Sequence, residues 1–421
     1  MLRDHSGRVR VHIAERHTQN TALPAFGQLS VADWREDLTA FMTRLREVHV
    51  EPFHTTTRTD FERETRAFDL ALPSLSAADV VARFIHLGSL IGDSHSRVAA
   101  PQLMVAPIEL KWYGDELHIV RAEPGLRDLL GARVSAIGAV SVKRVLEQVE
   151  PLLPVRQNGS FNRLFSPFLL RSPLMLQTLK ILNDPTRLPL TIEQNGRRSQ
   201  RDIPATTTGG QAAQAKDWIS YTPRLTQTPL YARDRGRNWV TYLDDAGLAY
   251  IAFNQYGDDG LLAAFQRELD GFMEQKKPRR AVVDLRNNGG GDFGLGRWYV
   301  VRAVMRANQL LMRGHLYVIT GPDTFSAAAI NALDFRRDAN AILIGEPPAE
   351  RTWSYSDSQC ARLPRSGLLA CYATRLHRLT DRDDVEISLD QVIPMTWTDL
   401  ESGADPVLAW VLKQPEPSRP R

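Results

Sequence analysis

Residues 317–335 read YVITGPDTFSAAAINALDF. An apolar, β-rich run ends at Thr320. Turn residues follow, and an alanine-rich helix begins near Ser326. At such a junction in a parallel sheet, the residue stands at the carboxyl edge of the strands, where α/β ligand sites lie. Ser326 then has two readings. It is a small residue that starts a helix, as serine often does, or it is a nucleophile waiting for a base. If it is a nucleophile, the next backbone N–H, from Ala327, lies in the helix's first turn, unpaired and aimed outward.

The pattern repeats on either side of this stretch. GLAYIAF (247–253) reads as a strand and LLAAFQRELDGFMEQ (261–275) as an amphipathic helix. RRAVVDL (279–285) is a second strand, and LGRWYVVRAVMRA (295–307) a helix. GHLYVIT (314–320) and NAILIGE (340–346) are the third and fourth strands. Alternation at this spacing predicts βαβ units and a mainly parallel sheet. Upstream, SVADWREDLTAFMTRLREVHV and SAADVVARFIHLGSLIG carry apolar spacing near 3.6 behind serine caps, so residues 25–97 read as a helical domain. Residues 98–210 are β-rich, and 218–415 hold the α/β core. The polar run TTTGGQAAQAKD (206–217) reads as a linker between them.

AVVDLRNNGGGDFG (281–294) allows three readings. Gly289, Gly291 and Gly294 fit a dinucleotide fingerprint, but Arg286, Asn287 and Asn288 separate it from its strand. The acidic residue expected after the next strand is also missing. A plain glycine turn is the second reading. The third fits best: bare backbone N–H groups lining an oxyanion hole, with Gly290 and Ala327 as donors. A base for Ser326 is offered by GDSHSR, which carries His95 in a loop after a helix.

Together, VVDLRNNGGG, YVITGPDTFSAAA and ILIGEPPAERTW resemble the catalytic core of the C-terminal processing (tail-specific) serine peptidases. That group also includes the tricorn core and interphotoreceptor retinoid-binding protein. GDSHSR resembles the family's Asp-x-His-Thr segment, with Ser96 in place of Thr. IPMTWTDLESGADPVLAWVL resembles its closing segment, and residues 101–150 are loosely similar to its PDZ-type insert. The resemblance implies a crotonase-like α/β core with a parallel-rich sheet, an N-terminal helical domain and a β-rich PDZ-like insert. It implies a serine peptidase acting on peptide or protein substrates without cofactor or metal.

The family uses two bases. One branch uses a lysine, and Arg351 stands at that place in PAER. Arginine stays protonated and cannot serve as the base. The tricorn-like branch uses the histidine of the Asp-x-His segment, which here is His95. That branch also places a glutamate after the serine. Glu386 is the nearest match, with Asp384 and Asp390 as rivals. An unperturbed histidine base would make activity rise through about pH 6 to 7.5. The retinoid-binding relative keeps a second reading open: a ligand- or peptide-binding protein on the same scaffold.

Composition narrows the field further. The 421 residues carry 43% hydrophobic and 24% charged side chains, with 52 Lys+Arg against 49 Asp+Glu. The signs are interspersed, so no nucleic-acid groove is expected. The ten histidines include no HExxH, so no metal site is expected either. No apolar run reaches the ~18 residues of a membrane span. The charged start, MLRDHSGRVRVHIAERH, shows no export signal. Cys360 and Cys371 flank LPRSG, a turn between two strand-like runs. They read equally well as two reduced thiols or as a bridge across a hairpin, and a bridge would imply an oxidising compartment such as a periplasm.

Overall fold

The strand residues Leu248–Ala252 alternate in direction. Ala249 and Ile251 join one buried cluster, while Leu248, Tyr250 and Ala252 join another on the opposite face. The neighbouring strand Arg280–Asp284 does the same: Ala281 and Val283 point one way, Val282 the other. Period-two alternation with apolar residues on both faces is the mark of a parallel sheet covered on both sides. The computed structural model, which describes residues 26–100, 103–154, 157–207, 217–221, 228–233 and 235–415, shows that sheet.

It has six strands, in the spatial order Trp239–Leu243, Leu248–Ala252, Arg280–Asp284, Leu316–Thr320, Ile342–Gly345, Gln391–Val392. The first pair is antiparallel and every later pair is parallel. The helices Asp259–Lys276 and Ala327–Ala339 lie on one face, burying Phe265, Leu269 and Phe335. The short helix Pro406–Lys413 covers the other face with Val407, Leu408 and Val411. Each fully buried Leu or Phe contributes roughly 1.5–3 kcal/mol. All four strands expected over 247–346 are present.

The helices Val31–Val48, Arg58–Ala71 and Ala77–Ile91 form the N-terminal region. Ser30 and Ser76 each close a capping box with the acid three residues on, Asp33 and Asp79. Trp34, Leu38, Phe41 and Leu45 face inward along the first helix. Their buried cluster continues through the β-rich region to Ile203, and takes in Leu363, Leu368, Ala370 and Tyr372 from far downstream. In the β-rich region, the strands Glu116–Ala122, Arg133–Ile137, Arg187–Gln194 and Arg197–Pro204 are paired antiparallel in that order. Residues 208–216 of the expected linker, and the first 25 residues with their export reading, lie outside the described residues. No helix among the described residues is long and apolar enough to cross a membrane.

Cys360 and Cys371 stand directly opposite each other in an antiparallel hairpin, Gln359–Arg362 with Leu369–Tyr372, and are joined by a disulfide. The second hairpin strand also pairs with Arg97–Ala99, the residues just after His95. In this way the hairpin reaches across the molecule to the loop that carries the expected base.

Candidate active site

Two loops leave the carboxyl edge of the sheet side by side. The first follows Asp284. A buried network anchors it: Arg286 donates to Asp284 (2.6 Å) and to Asp405 (2.7 Å), and Tyr250 donates its hydroxyl to Asp284. The second loop follows Thr320 and folds on Thr324, whose hydroxyl donates to the Leu285 carbonyl at 2.8 Å and accepts the Gly321 N–H at 2.9 Å. The loops meet where Phe325 N–H donates to the Asn288 carbonyl at 3.1 Å.

Ser326 follows, with φ 54° and ψ −123°. Positive φ is uncommon for a non-glycine residue and is strained unless its surroundings hold it. The helix Ala327–Ala339 starts one residue later, yet the Ser326 side chain makes no capping bond to it. Instead, its Oγ lies 2.9 Å from His95 Nε2. The sharp strand–turn–helix geometry resembles the elbow that exposes a nucleophile in α/β hydrolases.

His95 is held from all sides. The helix Ala77–Ile91 ends in a left-handed Gly92, φ 88°. Asp93 then accepts the N–H groups of His95 (2.9 Å) and Ser96 (2.5 Å) on one oxygen. Ser358, beside the disulfide hairpin, donates to the His95 carbonyl at 3.0 Å, and the imidazole stacks on Phe325 with centroids 4.9 Å apart. Burial pushes the imidazole down to about 4, only partly countered by the Asp93 charge.

Behind the imidazole the chain of bonds continues. His95 Nδ1 lies 2.8 Å from Ser94 Oγ, and Ser94 donates to Glu350 Oε1 at 2.9 Å. Glu350 is 1% exposed, and burial pushes its carboxyl up to about 7. When Glu350 is ionised it can only accept. The Ser94 proton is then committed to it, so Ser94 accepts from His95 Nδ1–H. That leaves Nε2 bare and facing the Ser326 hydroxyl.

Of the residues singled out in the sequence, Ser326, His95 and Ala327 come together here. Glu386 does not: it is exposed, and Glu350 takes the place behind Ser94. Asp390 is committed to Arg313 and to the Leu343 N–H (2.9 Å), and Asp384 is exposed. Arg351 turns to Asp383 at 3.0 Å. Gly290 is at the site, but not as the donor expected. Its N–H already donates to Asn288 Oδ1 at 3.0 Å, and Asn288 is fixed by the Phe253 carbonyl (2.8 Å). What Gly290 provides is close approach. At φ 96°, an added Cβ would sit 2.7 Å from the Phe325 carbonyl oxygen and 2.8 Å from Ser326 Cβ. Gly290→Val should therefore displace Ser326 and lower any turnover that depends on it by about 100-fold or more. Wild-type turnover with an unchanged melting temperature would contradict that placement. Ala327 opens its helix, so its N–H has no partner within the helix and remains available.

Sequence reading passed over His49. Its Nε2 lies 2.9 Å from the buried Asp93, and its Nδ1 accepts the Glu51 N–H at 3.0 Å, which puts the ring proton on Nε2 toward the carboxylate. Through Asp93 it is linked to the backbone N–H of His95. His49→Ala would leave a buried carboxylate short of a donor, and should lower stability by about 1–3 kcal/mol and kcat more than KM. His49→Gln, which keeps an N–H donor, should recover part of both. Thermal melts and steady-state kinetics on the two variants check this. Equal kcat in both would remove the positioning role. Among the described residues, no group of three or more His, Cys, Asp or Glu side chains is placed to hold a metal ion.

No family model matches the chain, and no curated protein matches it in sequence. Solved structures do match. Mature CPAF complexed with lactacystin superposes with a TM-score of 0.62 at 11% identity, over 88% of this chain and 96% of that one. A second structure of mature CPAF gives 0.58 at 10% identity, over 90% and 96%. The photosystem II D1 C-terminal processing protease gives 0.42 at 14% identity, over 88% and 98%. The likeness to CPAF shows a shared fold over nearly the whole length of both chains, an α/β core carrying N-terminal helices and a β-rich insert.

Proposed function

We propose that this chain is a serine peptidase that cleaves peptide bonds through an acyl-enzyme, with Ser326 as nucleophile and His95 as general base. The observation that carries this reading is the 2.9 Å contact between Ser326 Oγ and His95 Nε2, across 231 positions of sequence. A serine spent on starting a helix would bond to that helix, and this one does not. A binding module would have no need of a strained serine facing a half-buried, neutral imidazole.

In the first step, Oγ attacks the substrate carbonyl as its proton passes to His95 Nε2. The oxyanion that forms faces the Ala327 N–H, and the Gly290 N–H could join only by leaving Asn288. His95 returns the proton to the leaving amine. Water then attacks the acyl-serine by the same route in reverse. Ser94 and Glu350 hold the imidazole in the tautomer that leaves Nε2 bare, and stabilise the imidazolium when it forms. The Cys360–Cys371 bridge fits an oxidising compartment such as a periplasm.

Incubation with a complex peptide mixture tests the assignment. New N-termini should appear with the wild-type chain and not with Ser326→Ala. A wild-type chain that binds peptides and releases no new termini would make it a binding protein.

A further inference from the structure

A groove of about 720 Å³ runs away from the site. Asn287, Gly289 and Asp323 line its inner end, next to Gly290 and three residues before Ser326. The helix Gly159–Leu170 forms one wall. Its Phe165 packs edge-on against Phe325, centroids 5.4 Å apart, so this wall is continuous with the nucleophile's loop. The strand Ile108–Tyr113 forms the other wall with Lys111 and Tyr113.

The charge in this groove is one-sided. Five cations line it against two carboxylates, Glu109 and Asp323. Lys111 is bonded to Asp323, and Arg121 to Glu109 at 3.1 Å. Arg163 is 3.7 Å from both Asp115 and Glu346. Arg171 and Arg235 remain. Arg171 donates to the Ile108 carbonyl at 2.8 Å, and its guanidinium lies over the Phe168 ring, 5.5 Å from the centroid. Among the described residues, no ion pair involves it or Arg235, which is exposed. Low-dielectric walls concentrate such a field inside a cleft, and a guanidinium can take a carboxylate with two parallel bonds.

We propose that this groove binds an acidic stretch of the substrate, with Arg235 and Arg171 receiving Asp or Glu side chains on one side of the cleaved bond. This rests on the peptidase reading above and adds the substrate class. Phe168, 54% exposed on the groove wall, offers apolar contact between the charges.

The test uses the full chain carrying Ser326→Ala, so that peptides bind without being cut. Calorimetry compares three sets of peptides matched in length: Asp/Glu-rich and amidated, the Asn/Gln counterparts amidated, and the Asn/Gln counterparts with a free C-terminus. The acidic set should bind at least 10-fold tighter than its amidated counterpart. The gap should shrink with added salt and largely close in Arg235→Glu. Arg235 is exposed, so that change spares the fold, and Arg171→Gln serves as a second variant. Equal binding of the first two sets, binding that follows only the free C-terminus, or no binding of any set would overturn the proposal. Parallel incubation with the wild-type chain separates the two readings. Tight binding of acidic peptides without cleavage keeps the groove assignment and removes the peptidase. Cleavage of acidic and neutral sets at equal kcat/KM does the opposite.

Discussion

Replacing Ser326 or His95 by alanine should lower peptide turnover by on the order of 10⁵–10⁶-fold, and replacing both should be little worse than replacing either. Residues that act as one unit lose their whole contribution when the first is removed. The expectation rests on the single contact between them, His95 Nε2 to Ser326 Oγ at 2.9 Å. Arg351→Lys should not rescue His95→Ala, because position 351 points to Asp383 rather than to the serine. Steady-state hydrolysis by the two single variants and the double variant checks this. Independent, multiplying losses would mean that the pair does not work as a unit.

Glu350→Gln should lower kcat by about 1000-fold and change the shape of the pH profile. The half-buried imidazole, pushed down to about 4, is neutral throughout the range where a free histidine titrates. The rise through about pH 6 to 7.5 expected of an unperturbed histidine therefore cannot come from His95. Glu350, pushed up to about 7, titrates there instead. Below that pH its carboxyl is protonated and can donate to Ser94. Ser94 can then donate to His95 Nδ1, which puts the ring proton on Nε2, where it blocks the base. Wild-type kcat/KM should thus rise through about 7, and Glu350→Gln should lose that step along with most of its rate, the order of loss expected when an imidazole is no longer held in its working tautomer.

The same residue gives a readout independent of activity. Its folded pKa is raised above the unfolded value of 4.5, so the stability it contributes is complete below 4.5 and is lost as pH rises through about 7. Glu350→Gln should therefore be the more stable protein above pH 7, by on the order of 3 kcal/mol. Glu386→Gln should show none of these effects. If the wild-type step near 7 survives in Glu350→Gln and disappears in Glu386→Gln, the acidic member is Glu386 after all.

The strand–helix alternation from 247 to 346 could be read from sequence because its strands are apolar on both faces and its helices on one. Ser326 and His95 could be singled out because each sits at a break, Ser326 after a strand and His95 after a helix ended by Gly92. Glu350 carries no such mark in PAER, where it stands beside Arg351. Its importance comes from burial and from Ser94, separated from it by 256 positions, and neither shows in local pattern. His49 carries no local signal either. It becomes visible only once Asp93 is known to be buried and in need of a donor. The Gly290 N–H has the same limit: a glycine run predicts bare backbone, but where its N–H points depends on Asn288.

Whether His95 activates Ser326 can be read from mass-spectrometric mapping of the adduct left by a fluorophosphonate probe. The wild-type chain should carry one modified site, Ser326, with labelling nearly absent in His95→Ala at the same probe concentration and time. An unmodified wild-type chain, a label on another residue, or undiminished labelling of Ser326 in His95→Ala would contradict it.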